Sequence, residues 1–157
     1  MEEKSTKASV NSGDLSVITT YQAGVAQSSA HRVLQKYCDE VLSRYGITKM
    51  HWLIIGTVLD AGEAGVRLTD LTDKLGTTMP YLTTTVNLLE SKGMLQRTGH
   101  KSDSRSKVIT INEDFAPKCD EIELTLRNAL RQSVYADINP AEFRIYMKVL
   151  FQLGEIR

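Results

Sequence analysis

Between Thr78 and Lys107 the chain gathers hydroxyl, amide and cationic side chains suited to the surface of a nucleic acid rather than to bond-breaking chemistry. On a helical wheel of the stretch from Thr78 to Lys92, Pro80, Thr84, Asn87, Leu88 and Ser91 share the side opposite Leu82, Val86 and Leu89, with Tyr81 at the margin. Thr84 offers a hydroxyl to a base edge or its methyl to thymine, and Asn87 carries the amide that reads adenine. Lys74, Lys92, Arg97, Lys101, Arg105 and Lys107 follow one another here with His100 among them, against only Glu90 and Asp103. The whole chain balances 19 basic against 19 acidic residues, so this is a local positive patch on a neutral protein, the charge placement that phosphate contact requires. Arg105 is the residue expected in a narrow minor groove, where arginine is favoured. Asp103, two residues earlier, is expected to orient it, since a carboxylate is repelled by phosphate. Lys101 and Lys107 are expected on backbone phosphates. An ordinary solvated hairpin is the plain alternative.

These residues must be held by short elements. Leu68, Leu71 and Leu75 recur at helical spacing, with Thr69 as candidate N-cap and Gly76 as the stop. A second helix starts almost at once: Thr78 caps it, Pro80 occupies its first turn, Leu82, Val86 and Leu89 form its buried stripe, and Gly93 ends it. Two amphipathic helices joined by a tight turn make a helix-turn-helix. Met94–Arg97 and the β-branched run Lys107–Ile111 suit two strands, separated by the polar loop Thr98–Ser106. A helix-turn-helix followed by a basic-tipped hairpin is a winged helix.

Taken together, Leu-Thr-x-Leu-x-x-x-Leu-Gly from Leu68, a helix ending Leu-Leu-Glu-Ser-Lys-Gly-Met-Leu-x-Arg at Arg97, and Asp103-Ser-Arg105 before Lys107-Val-Ile-Thr-Ile resemble the MarR family of bacterial transcription regulators, over about residues 47–115. The resemblance implies a cytoplasmic homodimer, working at the nucleoid, that binds a near-palindromic operator as double-stranded DNA. It also implies repression, often relieved by a small molecule or an oxidant. Many members carry arginine where Thr84 and Leu88 stand here, so the wing is expected to supply more of the affinity. The effector region of the family corresponds here to Tyr37, Arg44, Tyr45, His51 and Trp52, a set of aromatics with a cation that suits an aromatic carboxylate. Aromatics at helical spacing are also ordinary core. A winged-helix module that binds protein instead of DNA is the alternative function, kept open by the arginine-poor second helix.

The fold expected is mainly α with a small β-hairpin wing: a winged helix-turn-helix core plus N- and C-terminal dimerisation helices. A flexible tail occupies 1–14 and a single domain 15–157, within which 15–46 and 113–157 are the dimerisation helices and 47–112 the DNA-binding lobe. Leu15–Tyr45 reads as one long helix with a weak point at Ser28–His31 and Gly46 at its end. Ile47–Ala61 reads as a central helix capped by Thr48, with His51 at its third position and Gly56 allowing a close helix approach. Glu113–Tyr135 is the next, with apolar positions Ile122, Leu124, Leu126, Leu130 and Val134. Asn139, Pro140 and Glu142 then cap a last helix whose Phe143, Tyr146, Met147, Leu150, Phe151 and Leu153 exceed a monomer's needs, unless it folds back on its own domain.

Hydrophobic residues at 41% and charged at 24% fit a globular domain, and no apolar run reaches the roughly 18 residues of a membrane span. The start, Met-Glu-Glu-Lys, lacks a signal peptide's apolar stretch. The two cysteines, Cys38 and Cys119, have no metal-ligand spacing and fit free thiols in a reducing compartment. Cys38, in the first helix, and Cys119, near a helix start, are the two places where a redox response could reside. His31, His51 and His100 are far apart, and no nucleophile triad or glycine-rich phosphate loop occurs, so neither an enzyme nor a cofactor or metal is expected.

Overall fold

The first helix, α1 (Thr20–Leu42), starts later than hydrophobic periodicity alone suggests, because Thr19 and Gln22 close a reciprocal cap. The Thr19 N–H donates to Gln22 Oε1 at 3.0 Å and the Gln22 N–H to Thr19 Oγ1 at 3.2 Å. This computed structural model describes residues 17–100 and 103–155, with side chains at all of these except 100 and 103–106. The chain divides into two compact units, Met1–Val33 and Leu34–Arg157, and the boundary falls inside α1. In the first unit the helix leaves Tyr21, Val25 and Val33 exposed. In the second it buries Cys38, Val41 and Leu42. The helix runs unbroken through Ser28–His31, so the weak point expected there produces no interruption. Its last turn tightens into a 3-10 turn at Ser43–Tyr45 and stops at Gly46, at φ +69°.

Within the second unit, α2 (Lys49–Ala61) is capped by Thr48 in a box with His51, as its sequence predicts. Ile54, Ile55 and Val58 bury its core face completely. No heavy atom outside the helix's own backbone and chain neighbours lies within 4 Å of a Cβ built on Gly56, so this glycine does not serve a close approach. α3 (Leu68–Leu75) starts from Arg67 rather than from Thr69, without a side-chain cap, and ends at Gly76 in the left-handed conformation. α4 (Met79–Ser91) follows with Pro80 in its first turn. Leu82, Val86 and Leu89 are fully buried and Thr85 nearly so, its hydroxyl donating to the Tyr81 carbonyl at 2.9 Å.

The wing differs from its sequence reading in length. β1 (Leu95–His100) and β2 (Asp103–Ile111) pair antiparallel from Leu95↔Ile111 to Gly99↔Lys107, so most of the expected loop is zipped into ladder. Between Gly99 and His100 the register shifts, and His100 pairs with Asp103. Ser104, Arg105 and Ser106 therefore lie on β2 without a partner in β1, and a bulge of this kind re-aims what it carries. A third short edge went unforeseen: Val66 and Ile109 exchange both backbone hydrogen bonds, at 2.9 and 2.8 Å. Gly65 makes this possible, since a Cβ there would stand 2.8 Å from the Ile109 carbonyl oxygen.

α5 (Ala116–Ser133) buries Cys119, Ile122 and Leu126 against the same core, while Leu124, expected in that stripe, is 59% exposed. α6 (Pro140–Gly154) is capped by Asn139, whose side chain accepts from the Ala141 N–H, and it buries no residue. Phe143 meets Tyr135 edge-on at 4.7 Å, and a cavity of about 510 Å³ opens there between Arg131, Ile138 and Arg144. Ile145, Phe151 and Leu153 are more than half exposed.

Candidate nucleic-acid interface

The outer face of α4 is the surface that the sequence predicts. Thr78, Pro80, Tyr81, Thr84, Asn87, Leu88 and Ser91 are all exposed, and Pro80, Thr84, Asn87 and Ser91 succeed one another at steps of three and four residues along one side. The local helical geometry sets how these groups present themselves. Thr84 Oγ1 donates to the Pro80 carbonyl at 3.0 Å and Thr83 Oγ1 to the Met79 carbonyl at 2.8 Å. Their hydroxyl protons are thereby spent within the helix, so Thr84 faces outward as a hydrogen-bond acceptor and a methyl group. Ser91 likewise donates to the Leu88 carbonyl at 2.7 Å.

The cations divide into two groups. Lys74 and Lys107 are exposed. Lys92, also exposed, and the half-buried Arg97 are engaged by the protein itself: the Lys92 ammonium donates to the Gly46 carbonyl, joining the end of α4 to the end of α1. Arg97, on β1, forms an ion pair with Glu90 and donates through Nη2 to Asn87 Oδ1 at 2.8 Å. Its guanidinium, expected to add to the free positive surface, instead straps the wing's first strand to the last turns of α4. Sequence reading missed this bridge because Asn87 and Glu90 lie on α4 and Arg97 on β1, and only the turn at Gly93 folds the strand back to face the helix. Lys101 lies outside the described residues, as do the side chains of Asp103 and Arg105; the backbone of Asp103 and Arg105 is that of the bulged end of β2.

The residues expected around an effector have other duties as well. Tyr45 is half-buried against the core, its hydroxyl donates to Thr125 Oγ1 at 3.1 Å, and the Lys118 ammonium stands 5.4 Å from its ring centre. Trp52 also packs on the core. His51 accepts the Thr48 N–H at Nδ1, at 3.3 Å. Burial, and then the Lys92 charge, hold its pKa below the ordinary imidazole value of 6.5. Tyr37 is half-buried and Arg44 exposed, and none of the five lines the cavity beside α6. Both cysteines are buried, with pKa values pushed up chiefly by burial. The helix start near Cys119 therefore does not produce the lowered pKa expected of a reactive thiol. No cluster of metal-ligating side chains occurs among the described residues. Nor is any helix among them long and apolar enough to cross a membrane.

A helix-turn-helix whose second helix presents an uncovered polar face, followed by a two-stranded wing and flanked by long helices, defines the winged helix-turn-helix class. Residues 45–106 match the MarR family profile. This lobe is similar to the MarR family, and the fold of the chain is that of MarR-family transcription regulators.

Solved structures of the same fold extend the likeness to the flanking helices. A MarR family transcriptional regulator from Rhodococcus sp. superposes with a TM-score of 0.79 at 17% identity, over 90% of this chain and 100% of its own. CouR from Rhodococcus jostii, solved with p-coumaroyl-CoA, gives 0.77 at 18% identity, over 86% and 93%. Sco3205 from Streptomyces coelicolor, a MarR family transcriptional regulator in complex with DNA, gives 0.73 at 20% identity, over 88% of each chain.

Proposed function

We propose that this chain is a sequence-specific transcription regulator, a repressor, that binds a near-palindromic operator as a homodimer. The observation that carries the proposal is the uncovered face of α4. Its Pro80, Thr84, Asn87 and Ser91 form a neutral polar strip with no carboxylate, beside a wing bearing Lys107 and Arg105. Such a face fits the major groove, with the wing over the adjacent backbone and Arg105 in the minor groove. Thr78, Tyr81 and Leu88 border the strip, and Lys101 and Lys107 contact phosphates, while Arg97 acts from behind. Dimerisation is supported by the apolar side chains left exposed on α6, including Ile145 and Phe151, and separately by those at Tyr21 and Val25. Selection of bound sites from random duplexes tests the reading. It should return two inverted half-sites, and affinity should fall with salt because phosphate neutralisation releases counterions, with a shallow slope because few cations are free.

Release by a small aromatic acid is part of the proposal, at the region of Tyr37, Arg44, Tyr45, His51 and Trp52. Arg44 keeps an exposed cation there, and the like-folded CouR was solved with an aromatic acyl thioester. Trp52 is the chain's single tryptophan, so its fluorescence reports binding directly. A second reading, a protein-binding winged helix, is favoured by Met79, Tyr81 and Leu88, which are 36%, 46% and 42% exposed on α4. Absence of salt-dependent binding to any duplex would decide for it.

A further inference from the structure

We propose that Arg97 is a positioning residue that fixes Asn87 as a hydrogen-bond donor toward the groove, so that the chain reads a base with a major-groove acceptor and rejects cytosine at that position. This inference rests on the DNA-binding reading above. Arginine has only donors, so the Asn87 atom facing Arg97 Nη2 at 2.8 Å must be the amide oxygen. The amide nitrogen then points away from the wing, and it has no partner among the described residues. Two-point recognition of adenine needs the oxygen to accept from the adenine amino group while the nitrogen donates to N7. With its oxygen turned to β1, Asn87 presents donors alone. In the major groove, guanine O6 and thymine O4 accept at the place where adenine and cytosine carry amino donors. A donor-only amide therefore finds an acceptor on G, T and, through N7 alone, A, and finds none on C. Glu90 holds the other end of the guanidinium, which keeps Arg97 from rotating out to a phosphate.

The test measures the affinity of the full chain for its selected duplex and for every single-base variant, at several salt concentrations. Wild type should disfavour C at one position per half-site by about three- to tenfold, the range of one neutral hydrogen bond. Asn87→Ala should erase the preference at that position alone. Asn87→Asp keeps an acceptor toward Arg97 but turns an acceptor to the groove as well, and should shift the preference to A or C there. Arg97→Lys, which keeps the charge and loses the fork, should free the amide oxygen to accept from cytosine, admit C at that position and leave the salt slope unchanged. Wild type preferring cytosine at the Asn87-dependent position, or Arg97→Lys weakening all duplexes equally with a shallower salt slope, overturns the proposal while the regulator reading stands. Wild type showing no base preference at any position overturns that reading, and this inference with it.

Discussion

Replacing Gly65 by alanine should damage the junction between the helical core and the wing. Gly65 sits at φ +65°, ψ −178°, a region essentially reserved for glycine, where another residue costs about 1–3 kcal/mol. The added Cβ would lie 2.8 Å from the Ile109 carbonyl oxygen and 2.9 Å from methyl groups of Val108 and Thr110, all held by the β-ladder. Relief requires moving Val66 away from Ile109, which breaks the hydrogen bonds of 2.9 and 2.8 Å between them. Each contributes about 0.5–1.5 kcal/mol, so the total expected loss is about 2–6 kcal/mol. Gly56→Ala is the internal control. It lies in the middle of α2 with nothing within 4 Å of its Cβ, and should stabilise by about 0.5–1 kcal/mol. Urea unfolding of the three proteins at one fixed concentration gives both differences, with the concentration held because association adds to apparent stability. A loss below about 1 kcal/mol for Gly65→Ala, the size of an ordinary substitution, would refute the close-packed junction.

Other expectations follow from the site and its supports. Arg105→Ala should weaken operator binding by about 1–3 kcal/mol while leaving folding and self-association intact; a mobility-shift titration beside sedimentation measures both. Lys107→Ala, removing an exposed cation, should lower the slope of log affinity against log salt by about 1 and affect all sequences alike. His51 has a folded-state pKa below its unfolded value, so its contribution is complete above pH 6.5 and is lost as pH falls through the lowered folded value. Urea midpoints from pH 7.5 downward should show the gap between wild type and His51→Ala closing in acid. Phe151→Glu, at a side chain 69% exposed, should leave the monomer fold intact and shift sedimentation toward monomer.

The sequence carried the helices and the exposed face of α4 because both depend on short-range spacing. Leu82, Val86 and Leu89 follow helical period, which places Thr84, Asn87 and Ser91 outside without any knowledge of the rest of the fold. Thr48 and His51 form their cap within one turn, so it too was readable. Thr19 and Gln22 belong to the same kind of motif but were hidden by an apolar pattern that continues upstream to Leu15. What escaped was long-range. A single residue, Val66, makes the third edge of the sheet, and one residue has no period to detect. The ladder reached into a stretch whose glycine, serines and charges read as loop, because pairing with a partner strand overrides weak local preference. Arg97 looked like one more free cation, since sequence distance gives no hint that Glu90 and Asn87 face it across the turn at Gly93. Counting charges therefore overstated the free positive surface.

A hydroxyl-radical footprint on the selected operator tests the central claim most directly. Two copies of α4 in successive major grooves, each flanked by a wing, should protect two blocks related by a dyad, with centres about 10 base pairs apart. Arg105→Ala should remove the outer, minor-groove part of each block and leave the inner part. A uniform protection without a dyad, or no protection at concentrations where the chain is folded and associated, would contradict the account.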